Sequence, residues 1–253
     1  MTERTRILIL GGTGEAAALA MRLGRIMTFE VVISLAGRTK LPAALPGEVR
    51  RGGFGGPEGL ARYLTERHIA LVIDATRPFA AVISRNAAEA CRAAGVPRAA
   101  LVRPPWRQQP EDRWTTVPDM DAAAALLPDL GTRVFLTSGR QGIEAFAPLE
   151  QIWFLVRLIE PPDGPLPLAN HAVIYGRGPF TVDLELALLE QHEIGVLVSK
   201  NSGGAATHAK LEAARRRGLP VVMIERPPPP DGELVQSVDD AMAWIEAHGA
   251  GAE

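Results

Sequence analysis

Residues 7–17 read Ile-Leu-Ile-Leu-Gly-Gly-Thr-Gly-Glu-Ala-Ala: a short apolar strand, a glycine turn and the start of a helix. Four apolar residues in succession suit a strand covered on both faces, as in a parallel sheet. Gly12, Gly14 and Ala17 fit the glycine-x-glycine-x-x-glycine/alanine spacing of dinucleotide-binding turns. Small residues there allow a tight turn, close approach of backbone to a pyrophosphate, and close packing of helix on strand. The N–H groups and positive dipole at the helix start favour an anion. The stretch predicts an α/β domain that binds a phosphorylated cofactor.

A chain of 253 residues is long enough for two domains of ordinary size. With 47% hydrophobic and 22% charged residues and a formal net charge of −2, it has the composition of a soluble globular protein. That balance argues against nucleic acid held by a general basic field. Cys91 is the sole cysteine, so neither an internal disulfide nor a cysteine-based metal site can form. It lies in an alanine-rich helical run, 86–94, and reads as a buried thiol. His68, His171, His192, His208 and His248 show no metal-ligand spacing. Residues 1–6 lead straight into the first strand without a leader pattern. No apolar run approaches the about 20 residues of a bilayer span. The expected location is cytoplasmic, with neither nucleic acid nor membrane as partner.

Strand-like and helix-like segments alternate throughout. The pattern predicts strands near 6–10, 29–34, 49–51, 71–74 and 98–102, then 133–137, 152–158, 171–175, 196–199 and 221–224. Helices are predicted over 13–25, 57–67 and 79–94, then 143–147, 179–191, 205–217 and 238–248. The two halves echo each other. Gly95-Val96-Pro97 precedes an apolar strand and Arg103-Pro104; Gly218-Leu219-Pro220 precedes another and Arg226-Pro227, at a constant offset of 123 (218 − 95, 227 − 104). Leu10-Gly11-Gly12-Thr13-Gly14 likewise resembles Leu136-Thr137-Ser138-Gly139-Arg140. We therefore expect two Rossmann-like, doubly wound parallel-sheet domains, 1–108 for a nucleotide and 109–253 for a substrate. A proline-rich linker at 103–118 joins them, and a cleft lies between them. Open parallel sheets bind ligands beyond the carboxyl ends of their strands, so the chemistry belongs to strand-end motifs.

After the second strand comes Ser34-Leu35-Ala36-Gly37-Arg38-Thr39, with no acidic residue to bond a ribose hydroxyl. Arg38 among hydroxyl neighbours suits a 2′-phosphate, which points to NADPH over NADH. Arg51-Gly52-Gly53-Phe54-Gly55-Gly56 is either a loop lying over the cofactor or a flexible lid. In Asp74-Ala75-Thr76-Arg77-Pro78-Phe79, Asp74 stands where it could face the nicotinamide end. Thr76 there is either a helix cap or a ligand contact. In the second half, Thr137-Ser138-Gly139-Arg140-Gln141-Gly142 and Ser199-Lys200-Asn201-Ser202-Gly203-Gly204 are turns rich in donors. Arg140, Arg177, Lys200 and Lys210 would make a cationic rim, backed by helix N-termini, for an anion with several carboxylates or phosphates.

In order along nearly the whole chain, the runs at 11–15, 34–39, 51–56, 74–80, 137–142, 176–180, 198–204 and 219–227 resemble the precorrin-6A reductase family. One position departs. Arg77 stands where the family motif carries histidine; a guanidinium does not serve as a neutral acid or base near pH 7, while a carboxylate contact survives the change. The resemblance implies NADPH-dependent reduction of a many-armed tetrapyrrole on the route to cobalamin, with transfer of the product to neighbouring pathway enzymes. It makes Gly11, Gly12, Thr13, Gly14 and Glu15, with Ser34, Ala36, Gly37, Arg38, Thr39 and Gly53, cofactor contacts. Asp74, Ala75 and Thr76 fall near the nicotinamide ribose. Arg77, Ser138, Gly139, Arg140, Arg177, Lys200, Asn201, Ser202, Gly203, Gly204 and Lys210 become substrate contacts. The proton that the reduction also needs is delivered under the influence of Lys200 or Asp74, or supplied by water or by the substrate's own acidic positions. Two rivals predict other behaviour. A nucleotide-sugar glycosyltransferase would bind a nucleoside diphosphate, and a non-enzymatic NADPH sensor would bind the cofactor without consuming it.

Overall fold

A computed structural model describes residues 4–35, 45–162, 164–229 and 231–249, and the chain divides into two compact units. One joins the residues up to Pro104 to those from Pro227 onward; the other is Pro105–Arg226.

The first unit begins β1 (Thr5–Leu10), α1 (Gly14–Leu23), β2 (Phe29–Leu35), β3 (Glu48–Arg51), α2 (Gly56–Glu66), β4 (Leu71–Asp74), α3 (Ala81–Ala94) and β5 (Arg98–Leu101). The apolar run of β1 is explained by period two. Ile7 and Ile9 pack with Leu19, Leu23 and Ile245 on one face, while Leu8 and Leu10 pack with Leu60, Leu64 and Cys91 on the other. A strand with a core on both sides cannot alternate with polar residues. Burial pushes the Cys91 thiol up to about 12, which fits an inert buried thiol rather than a nucleophile.

The second unit contains β6 (Arg113–Val117), α4 (Met120–Leu130), β7 (Arg133–Leu136), a 3-10 turn (Ile143–Phe146), β8 (Trp153–Leu158), β9 (Asn170–Tyr175), α5 (Val182–Gln191), β10 (Val196–Lys200), α6 (Ala209–Arg216) and β11 (Pro220–Ile224). The chain ends in β12 (Glu233–Val235) and α7 (Val238–Gly249). The sheets run β12-β5-β4-β1-β2-β3 and β6-β11-β10-β7-β8-β9, with parallel neighbours throughout. With β7 in the place of β1, five of the six strands follow the same order, and only the sixth, β12 or β6, enters from a different point in the chain. The repeat seen in the sequence is a repeat of topology.

The sixth strand of each sheet corrects the predicted boundaries. β6 lies inside the stretch read as linker, and it pairs with β11. β12 follows the second unit in sequence yet pairs with β5, and α7 adds Ala241, Trp244 and Ile245 to the core around Ile7 and Ile9. Residues from Pro227 therefore belong with the first unit, not with a domain 109–253. The physical reason is an exposed edge. A parallel sheet ending at β5 or β11 presents unpaired backbone and an uncovered apolar face, and each strand–helix pair covers one such end. The two segments are also built alike. Asp119 caps α4 by accepting from Ala122 N, and the Ser237 hydroxyl accepts from Asp240 N at the start of α7.

Candidate functional site

At the switch point of the first sheet, β1 lies between β2 and β4, so the loops leaving β1 and β4 diverge. Gly11 N–H donates to Ser34 O at 2.9 Å, setting the turn against the end of β2. Gly12 has φ +110°, and a side chain built there would meet nothing within 4 Å. Glycine is needed for its backbone angle, and the space over it is open. Gly14 also has open space where a Cβ would stand. Thr13 caps α1 by accepting from Ala16 N at 3.1 Å, and its hydroxyl donates to Ala75 O at 2.8 Å. One side chain thus fixes both lips of the crevice. Glu15 pairs with Arg103 at 2.8 Å, so the carboxylate in the anion-binding turn faces a guanidinium.

The glycine loop after β3 is stitched together rather than left as an open lid. Arg50 donates to Gly52 O at 2.6 Å and Gly53 O at 2.7 Å, and its guanidinium stacks 3.7 Å from the Phe54 ring centre. Gly52 N–H donates to Leu35 O, which ties this loop to the end of β2. Ser34 is buried. Ala36, Gly37, Arg38 and Thr39 lie outside the described residues.

Asp74 is turned inward. It is 3% exposed; Oδ1 accepts from Thr76 N at 3.2 Å and from Thr76 Oγ1 at 2.7 Å, and Oδ2 lies 3.8 Å from Arg98 Nη1. Parity along β4 puts the side chain on the face packed by α3, so Asp74 shapes the 74–76 turn from beneath. Thr76 does not cap α3. That helix starts at Ala81 with Ala80 at its N-cap, and Thr76 Oγ1 instead meets Ser84 Oγ at 3.1 Å. Arg77 is exposed on the following loop.

In the second sheet, the matching crevice lies between the loops leaving β7 and β10. Thr137 donates to Val198 O from both N and Oγ1, at 3.0 and 2.8 Å. Ser138 is 8% exposed, and its buried Oγ has no hydrogen-bond partner among the described residues. Gly139 has φ +78° and Arg140 is half-buried. Lys200 Nζ donates to Gln141 O at 3.2 Å, bridging the two loops. Burial lowers the Lys200 ammonium below the ordinary lysine range, with Glu144 opposing the shift. Ser202 N–H donates to Lys200 O, and Gly203 and Gly204 carry positive φ in the same turn. Arg177 is exposed in the turn after β9.

Two predicted substrate contacts have side chains engaged within the second unit. Lys210 is 5% exposed and belongs to the interior under α6, not to a cationic rim. Asn201 uses both amide atoms on the main chain of Trp106, accepting from its N at 2.8 Å and donating to its O at 3.1 Å. The predicted backing by helix N-termini is likewise missing after β7, where only the four-residue 3-10 turn follows. The sequence pattern did not reveal Trp106, or the buried pair in which Arg157 holds both oxygens of Glu185 at 2.6 and 2.8 Å. Arg157 also lies 4.7 Å from the ring centre of Phe135 and 4.1 Å from that of Phe180. The available signal was Trp106 directly after Pro104-Pro105, in a stretch read as linker. No group of metal-ligating side chains occurs among the described residues. No helix among them is long and apolar enough to cross a membrane.

A glycine turn at the switch point of a 3-2-1-4-5-6 type sheet, with the same five-strand order repeated in the second unit, defines a Rossmann-type α/β protein. A family profile described as precorrin-6x reductase CbiJ/CobK matches residues 6–246. A precorrin-6A reductase of Rhodococcus erythropolis is 53% identical over 242 residues, covering 95% of this chain and 97% of that one. One of Rhodobacter capsulatus is 48% identical, covering 97% and 98%. A solved structure described as CobK precorrin-6A reductase superposes with a TM-score of 0.91 at 48% identity, covering 97% of both chains. The chain belongs to the precorrin-6x reductase CbiJ/CobK family, and it is an oxidoreductase of cobalamin biosynthesis.

Proposed function

We propose that this chain reduces precorrin-6A to precorrin-6B with NADPH, holding the cofactor on the first unit and the macrocycle at the strand ends of the second. The observation that carries the cofactor assignment is Gly12, held at φ +110° with clear space above it at the start of α1. A pyrophosphate fits there because the first-turn N–H groups of Gly14 and Glu15 have no partner within the helix. Bound there, NADPH would supply the hydride for one carbon of a ring double bond, and the proton for the other carbon would come from the protein or solvent. Thr13 and Ala75 hold the crevice in shape, Gly53 borders the β2 end through its stitched loop, and Arg38 takes the 2′-phosphate. Arg77, Arg140 and Arg177 meet carboxylate arms of the macrocycle.

Lys200 is the proton source in this reading. Its ammonium is a better acid than an ordinary lysine because burial disfavours the charge, and the bond to Gln141 O fixes its position. Asp74 is not the acid, since its carboxyl lies under α3 beside Arg98. The product then passes to other enzymes of the pathway from an enzyme located in the cytoplasm.

The test is anaerobic mixing of purified protein, NADPH and precorrin-6A, following loss of the reduced-nicotinamide absorbance and a product heavier by two hydrogens. NADH should be a poor substitute, and Arg38→Ala should narrow the difference. Binding of NADPH without consumption would favour the sensor. Tight binding of a nucleoside diphosphate with no response to NADPH would favour the glycosyltransferase.

A further inference from the structure

The turn after β10 is wrapped around one side chain. Trp106 N–H donates to Asn201 Oδ1 at 2.8 Å, and Asn201 Nδ2 returns a bond to Trp106 O at 3.1 Å. The indole Nε1 donates to Gly204 O at 2.8 Å. Its ring meets the edge of His208 with centroids 6.2 Å apart. Lys210 Nζ lies 5.2 Å from the ring centre. One residue therefore touches the start, middle and end of the segment that joins β10 to α6.

This segment needs a template. Gly203 and Gly204, at φ +66° and +80°, give the backbone freedom that a template must remove. Asn201 is held from other sides as well, its N–H donating to Ile224 O and its carbonyl accepting from Arg226 Nε at 3.1 Å. Behind the indole, Lys210 is 5% exposed and makes no hydrogen bond or ion pair among the described residues. The carboxylate that acts on it, Glu185 on α5, is already claimed by both arms of Arg157 from β8. A buried ammonium in that position is destabilising unless something gains from it, and the indole ring is what it faces.

We propose that Trp106 is a positioning residue for the substrate-contacting turn at 199–204, with Asn201 and Lys210 holding it in place. The proposal rests on the reading of that turn as a substrate site. Trp106 acts through the turn it shapes, so its loss misplaces the groups meeting the macrocycle while leaving the cofactor turn untouched. The cation on Lys210 matters too. Burial, with Arg157 alongside, lowers its ammonium to about 8, while Glu185 opposes the shift; His208 is the further titratable group touching the indole.

The experiment compares Trp106→Phe, Asn201→Ala, Lys210→Met and Lys210→Arg with wild type, from about pH 6.5 to about pH 9.5. It measures KM for precorrin-6A, kcat and NADPH dissociation constants. Trp106→Phe keeps the ring and loses the bond to Gly204. It should raise KM roughly tenfold, with kcat within about threefold and NADPH affinity unchanged. Asn201→Ala should behave similarly. Wild-type KM should climb above about pH 8 as Lys210 loses its proton, Lys210→Met should already be raised and flat, and Lys210→Arg should stay low across the range. Unchanged KM in Trp106→Phe and Asn201→Ala would overturn the proposal. So would matching pH profiles for wild type and Lys210→Met, or a parallel loss of NADPH affinity. Failure of the underlying functional reading would show separately, as wild type that does not turn over precorrin-6A at all.

Discussion

After β1 the chain enters a ten-residue α-helix; after β7, at the same place in the same strand order, it makes a four-residue 3-10 turn. That difference sorts the two units chemically. A helix of several turns aligns its peptide dipoles and offers first-turn N–H groups, so the first unit can meet a compact anion with backbone alone. A single 3-10 turn offers little of either. The second unit instead carries Arg140 and Arg177 on the loops leaving β7 and β9, and Lys200 at the end of β10. Both crevices carry a threonine-hydroxyl bridge, Thr13 on Ala75 O and Thr137 on Val198 O, and the second adds a lysine ammonium on Gln141 O. A pyrophosphate concentrates its charge at one helix end. A macrocycle with many carboxylate arms spreads its charge, and separate side-chain cations suit it.

The comparison breaks first at Gly12. Gly12→Val forces a β-branched residue to φ +110° and fills the space over α1. Isothermal titration should show NADPH affinity reduced about 1000-fold or more, near 4 kcal/mol. Ser138→Ala, in the corresponding turn of the second unit, should leave NADPH affinity alone. Equal losses in both variants would mean that the cofactor does not distinguish the two turns.

The assignment of α7 to the first unit is sharpened by Ile245, fully buried against Ile7 and Ile9. Ile245→Ala should cost roughly 2–4 kcal/mol of stability. Calorimetry should show the loss in the transition whose midpoint NADPH raises, although the mutation lies far along the chain. A drop confined to a transition insensitive to NADPH would contradict it.

Lys200→Met separates two uses of the second unit's bridge. As proton source, Lys200 should cost about 100-fold in kcat when removed, near 3 kcal/mol, with KM for precorrin-6A little changed. The rising limb of inhibition at alkaline pH should vanish with it, because loss of the ammonium proton at a lowered pKa is its cause. A raised KM with kcat intact would make Lys200 a carboxylate contact instead.

The central strands were legible because each is buried on two faces and reads as an unbroken apolar run. The edges at β3 and β9 were legible too, but those at β6 and β12 were not. β6 buries Val117 alone among five residues, and β12 buries Val235 alone among three, so neither shows a run. α4 was hidden by its position after a proline-rich stretch and by Pro128 inside it. At the site, the glycine turn and the donor-rich turns showed in the pattern because backbone geometry demands special residues. Asp74 at a strand end and Lys210 on the helix after a donor-rich turn both look available to a ligand in the sequence, and only packing reveals that α3 covers one and that Trp106 backs the other.

Lys210 gives the smallest effect, and it runs against the usual direction. Its ammonium titrates at about 8 in the folded chain, below the roughly 10.4 of an unfolded lysine. Below about pH 8 both states hold the proton, and the folded state carries the full penalty of burying it. Between about pH 8 and about pH 10.4 the unfolded state binds more protons, so stability rises with pH and the penalty fades. Lys210→Met removes the charge at similar volume. At pH 7 it should stabilise the protein by roughly 1–3 kcal/mol, visible as a Tm higher by a few degrees, and the gain should shrink toward about pH 10. The same variant should bind precorrin-6A more weakly. A protein made more stable and less able to hold its substrate by one substitution would show that the buried charge is retained for the shape it gives the second unit's turn, which the first unit obtains from glycine and a helix end.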